Sequence, residues 1–151
     1  MRFEDFELYF STYENESHGV GATEDLILDA EKMLGLNISG SYRLFLQKYG
    51  WCAAGPYYVY GLGPDVPKYL DLTSITLSER HEMHPNICHA LVPVMNDGGG
   101  NLYCLDTRVI EDGENLIVLW DHTLGSHQTP DVVGKSFIDW FYIKLKESAN
   151  L

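Results

Sequence analysis

The chain has 151 residues, 45% of them hydrophobic and 13% aromatic. That is enough for one packed core without metal or disulfide help, and too apolar for a disordered segment. Its 22 acidic residues outnumber 10 basic ones and leave a formal charge of −12, which repels phosphate backbones and argues against direct nucleic-acid binding. The same field attracts basic partners and speeds their association.

In chain order, Phe3, Phe6, Phe10 and Tyr13 recur at helical spacing and predict a short amphipathic helix. The polar residues 15–21 read as a loop. Thr23 then suits an N-cap, followed by Glu24 and Asp25 at the positive end of a second helix. Leu26, Ile27, Ala30, Met33 and Leu34 form its expected buried face, and Gly35 stops it. A third helix starts near Ser39 or Ser41, with Tyr42, Phe45, Leu46 and Tyr49 at i, i+3, i+4 and i+7 and Gly50 as terminator. Residues 57–60 predict a short strand, and residues 72–82 a helix that ends before Pro85.

Beyond Pro85 the pattern becomes strand-like over 90–95, 102–105 and 116–120. Asn96-Asp97-Gly98-Gly99-Gly100 joins the first pair, and the Asp-Gly step is a hairpin signal; residues 111–115 make the second turn. A last helix begins near Ser136 with Phe137, Ile138, Trp140, Phe141 and Leu145 on its apolar face. Helices, meander, helix: the expectation is a single α+β domain over residues 1–151, with a central, mostly antiparallel sheet flanked by helices.

Cys52, Cys88 and Cys104 share no close spacing, so neither a zinc ribbon nor a redox pair is expected, and free thiols fit a reducing cytoplasm. The acidic start Met1-Arg2-Phe3-Glu4-Asp5 does not read as a leader, and the longest apolar runs are strand-length. The expectation is a cytoplasmic protein without membrane contact.

His81, His84, Cys88 and His89 lie close together, but Pro85 interrupts any ligand spacing, so no metal and no cofactor is expected. Asp121 and His122 with Ser126 and His127 offer acid, base and hydroxyl groups without the strained elbow that activates a serine. The Gly98-Gly99-Gly100 run lacks the Lys-Ser/Thr ending of a phosphate loop. A surface reading remains. Trp51, Tyr57, Tyr58, Tyr60 and Tyr69 cluster with Asp65 and Asp71, and aromatics ringed by acids suit a partner-binding patch. Asp97 and Asp121, in the turns, complete the candidate partner-binding set. Strand alternation sends Tyr57 and Tyr58 to opposite faces, so part of this set belongs to the core.

Taken together, Ala30-Glu31-Lys32-Met33-Leu34-Gly35 followed by Ser41-Tyr42-Arg43-Leu44-Phe45-Leu46-Gln47-Lys48-Tyr49-Gly50 resembles the opening of the SUKH superfamily. Leu91-Val92-Pro93-Val94 with Asn96 to Asp106 resembles its centre, Val118-Leu119-Trp120-Asp121-His122 its next strand, and Ser136-Phe137-Ile138-Asp139-Trp140-Phe141 its closing helix. The proline usual before the third helix is missing, Trp51 replaces a frequent second glycine, and residues 1–20 lie outside the resemblance as an N-terminal helical addition. The resemblance implies an α+β fold and, for bacterial members, an immunity protein that binds and neutralises a cognate toxin, often a nuclease domain such as those of LXG-type RNase toxins. It implies no catalytic residues. Eukaryotic members regulate cell-wall synthesis and signalling, so a regulatory adaptor is one rival reading. A hydrolase built on Asp121 and His122 is the other.

Overall fold

The computed structural model describes residues 1–149. Helix α1 (Phe3–Thr12) turns Phe6 and Phe10 inward, and the residues after it form a short strand, β1 (Glu16–His18), where the sequence reads as loop. Helix α2 (Glu24–Leu34) opens on the Thr23 hydroxyl, which accepts the Leu26 N–H, and closes on Gly35 in the left-handed region at φ 69°. Its buried face is Ile27, Ala30, Glu31 and Leu34. Leu26 and Met33, expected inside, are exposed, and Glu31 takes an inner place because its carboxylate is hydrogen-bonded there.

Helix α3 (Gly40–Lys48) buries Tyr42, Phe45 and Leu46. Its N-terminus is capped from across the fold, since Glu114 accepts the Ser41 N–H and hydroxyl and Asn115 accepts the Ser39 N–H. Strands β2 (Cys52–Ala54) and β3 (Tyr57–Val59) follow, joined by Gly55-Pro56. A 3₁₀ turn (Lys68–Leu70) leads into α4 (Leu72–His81). The meander is β4 (Leu91–Asn96), β5 (Leu102–Glu111), β6 (Glu114–Trp120) and a fourth strand the pattern does not reveal, β7 (Asp131–Gly134). Asp112 and Gly113 both have positive φ, the geometry of a tight hairpin between β5 and β6. Helix α5 (Phe137–Ala149) closes the described chain, with the Ser136 hydroxyl accepting the Asp139 N–H.

The chain is an α+β fold in which the strands form two antiparallel sheets, β1-β2-β3 and β4-β5-β6-β7. The Tyr60 N–H donates to Val94 O at 2.9 Å and ties one sheet to the other. The inner face carries the main core, with Phe141 of α5 packed among Phe6, Phe10, Phe45 and Phe137 at centroid distances of 5.5–6.4 Å. Burying each such ring stabilises the fold by about 1.5–3 kcal/mol. Ile87, Leu91, Leu102, Cys104, Val118 and Trp120 make a second cluster on the opposite face. Burial on both faces explains why 91–95 is an unbroken apolar run and not an alternating one. No helix among the described residues is long and apolar enough to cross a membrane.

Candidate functional site

A groove of about 750 Å³ opens where the two sheets meet the end of α5. The Gly55-Pro56 turn places β3 on its wall. From there strand alternation exposes Tyr58 and leaves Tyr57 half-buried against Phe141. Tyr60 is held at the strand exit by its N–H bond to Val94 and by the Tyr42 hydroxyl, which donates to Tyr60 O at 2.7 Å. The 3₁₀ turn buries Leu70 and so turns the neighbouring Tyr69 outward. Tyr58 and Tyr69 are 50% and 68% exposed.

The opposite wall comes from β4, β5 and α5: Met95, the Asn96-Asp97-Gly98 turn, Tyr103 and Lys144. The Lys144 ammonium donates to Tyr103 Oη at 2.9 Å, and the Tyr103 ring packs on Trp140 at 4.9 Å. Burial opposes the charge on Lys144, but the bond to Tyr103 and the neighbouring Tyr103, Glu147 and Tyr57 hold its pKa above the ordinary lysine value. Burial also pushes Tyr57 and Tyr60 above the usual phenol value, so both stay neutral donors at physiological pH. The groove is therefore an apolar, hydroxyl-edged trough with one cation, and Asp97 supplies an acid at its rim.

Of the residues expected from sequence, Tyr57, Tyr58, Tyr60, Tyr69 and Asp97 line this groove. Trp51 and Asp65 meet each other elsewhere: the Trp51 indole N–H donates to Asp65 Oδ1 at 3.2 Å, and Asp65 Oδ2 accepts the Val20 N–H. Asp71 caps α4 by accepting the Ser74 N–H and hydroxyl. Asp121 accepts the Thr123 N–H and hydroxyl within its own turn. Tyr103 and Lys144 are among the groove residues that sequence reasoning leaves out. Their signal is the placement of Lys144 four residues after Trp140, on the helix face that packs against the sheet.

The chemical alternatives lose their geometry. The His122 ring pairs with Asn101 Oδ1 at 2.6 Å, while the Asp121 carboxylate is engaged by Thr123, so no acid–base–hydroxyl relay forms there. In the glycine turn, Asp97 Oδ1 accepts the Gly99 and Asn101 N–H groups and Asn96 Oδ1 accepts that of Gly98, which removes the donors a phosphate would use. Burial raises the Cys52 and Cys104 thiols well above their usual value, which makes them poor nucleophiles.

A family model described as SMI1-KNR4 cell-wall, of the SUKH group, matches residues 7–146. The match takes in most of α1, which lies outside the motifs legible by eye. Among solved structures, a crystal structure of a protein from Pseudomonas syringae pv. tomato superposes with a TM-score of 0.65. It is 18% identical and covers 92% of this chain and 94% of its own, a likeness that establishes the fold.

Proposed function

Because this chain belongs to the SMI1-KNR4 cell-wall family of the SUKH group, we propose that it is an immunity protein that binds a cognate toxin domain, an RNase, and blocks it. The observation that carries this reading is the tyrosine groove. It offers exposed aromatic anchors on a fixed frame, the composition typical of interface hot spots. The charge of −12 complements the basic substrate cleft of a nuclease and steers it into contact. No activated nucleophile accompanies the groove among the described residues, which favours binding over catalysis. The protein acts in the cytoplasm, where the toxin would meet the producing cell's RNA. An adaptor that regulates a signalling protein would use the same groove and differ in its partner.

The test is co-expression of this chain with the C-terminal domain of the protein encoded immediately beside it. Growth should be restored by the wild-type chain and lost again when Tyr58 and Tyr69 are both changed to Ala. Growth arrest that the wild-type chain does not relieve would overturn the immunity reading and favour the adaptor.

A further inference from the structure

The aromatic rings of the groove fall into two sets. Tyr57 packs edge-on against Phe141, and Tyr103 packs on Trp140 with the Lys144 ammonium 4.7 Å from its ring centroid. Tyr58 and Tyr69 are exposed and pair with no other ring or cation among the described residues. The face of such a ring is the negative part of its quadrupole and attracts a cation. Asp97 lines the same groove. Its Oδ1 accepts the Gly99 N–H at 2.8 Å and the Asn101 N–H at 3.1 Å, which fixes the side chain, and its Oδ2 has no partner among the described residues. The chain's own arginines are committed elsewhere: Arg2 to Asp5, Arg43 to Glu24 and Glu31, Arg80 to the His89 carbonyl and Arg108 to Asp106. The two rings and the carboxylate are therefore open to a cation from outside the molecule.

The charge of −12 decides the sign of what approaches, since it draws in basic surfaces. Between the two basic side chains, the groove favours arginine. A guanidinium is planar and weakly hydrated, so it lies on an aromatic ring and still donates in its own plane, which an ammonium does not combine. We propose that the groove receives an arginine side chain of the partner, whose guanidinium lies against the exposed Tyr58 and Tyr69 rings and donates to Asp97 Oδ2. The other end of the groove sets the direction. Lys144 repels a second cation there and keeps donors beyond the one given to Tyr103, so the partner segment is neutral or acidic where it passes Tyr103. The inference names the group that occupies the site of the binding reading above. It rests on that reading in taking the source to be a protein, but its first test needs no protein partner.

The probe is N-acetyl-arginine N-methylamide, titrated into the full-length, isotope-labelled chain while the ring resonances of Tyr58 and Tyr69 and the backbone of residues 96–98 are followed. These signals should move saturably, and the citrulline amide, a neutral isostere, should bind about tenfold more weakly. Asp97→Asn keeps Oδ1 for the turn and removes the charge; it should weaken the arginine amide about threefold and leave the citrulline amide unchanged. Citrulline or lysine amides that bind as tightly as arginine would overturn the proposal, as would a response confined to other residues or one indifferent to Asp97→Asn. The protein encoded beside this chain separates the two readings. If the wild-type and Asp97→Asn chains inhibit it equally, the arginine site fails while the immunity reading stands. If neither chain binds it and the arginine amide behaves as stated, the arginine site stands and the immunity reading falls.

Discussion

Glu31 holds the α2–α3 connection together, and removing it tests whether the burial of that carboxylate is read correctly. Its Oε2 accepts the Ile38 N–H at 2.7 Å and the Arg43 guanidinium at 3.0 Å. Arg43 in turn donates to Ile38 O at 3.0 Å and pairs with Glu24. Glu31→Ala leaves the N–H of Ile38, a buried residue, without a partner, at about 1–3 kcal/mol. It also removes one carboxylate from Arg43, which keeps Glu24 and some contact with water. That part is worth about 1 kcal/mol, far less than the cost of stranding a fully buried charge. The sum is about 2–4 kcal/mol, or a fall in Tm of about 4–16 °C for a domain of this size. Glu31→Gln retains an acceptor for Ile38 and should cost roughly half as much. The assay is urea unfolding of both variants, with a double-mutant cycle against Arg43→Met expected to show coupling of about 0.5–2 kcal/mol. A loss below about 0.5 kcal/mol for Glu31→Ala would refute the reasoning.

Replacing Tyr58 and Tyr69 by Ala should change stability by no more than about 0.5 kcal/mol each, because both are exposed, while weakening toxin binding by at least about tenfold; surface plasmon resonance beside thermal melts reads both. Tyr49 is pushed up to about 12, first by burial and then by the Glu7 and Glu16 carboxylates and Cys52. The folded state therefore keeps this proton after the unfolded chain has lost it. Its contribution is fully present below the unfolded value of about 10 and is lost as pH rises from there to about 12. Tyr49→Phe should flatten the decline in stability over that interval, and an unchanged slope would contradict the assignment. A β-carbon on Gly61 would sit 1.6 Å from Gly50 O, so Gly61→Ala should abolish folding or cost more than about 3 kcal/mol, as read by circular dichroism and urea titration.

Much of the fold is legible because it is local. The apolar set of α5, the Thr23 cap, Gly35 in its left-handed position and the Asp-Gly hairpins are each written within a few neighbouring residues. Strands β1, β2 and β7 escape notice because they are only three or four residues long, too short for alternation to register. On α2, hydrophobicity alone places Leu26 and Met33 inside, yet the hydrogen bond to Ile38 gives an inward place to Glu31. Legibility in the groove follows sequence distance. Tyr57, Tyr58 and Tyr60 share one strand and its exit, and Tyr69 follows closely. Lys144 and Tyr103 reach the same place only through packing of α5 on the second sheet. Trp51 and Asp65, grouped with the tyrosines by proximity in sequence, bond to each other instead.

Calorimetric titration of the purified chain against the C-terminal domain of the protein encoded immediately beside it, with RNA degradation followed in the same samples, tests the central claim most directly. Tight one-to-one binding that stops degradation, and that is lost in the Tyr58→Ala, Tyr69→Ala double variant, is the predicted result. An RNase that stays active in the presence of excess chain, or is inhibited equally by the double variant, would contradict the account.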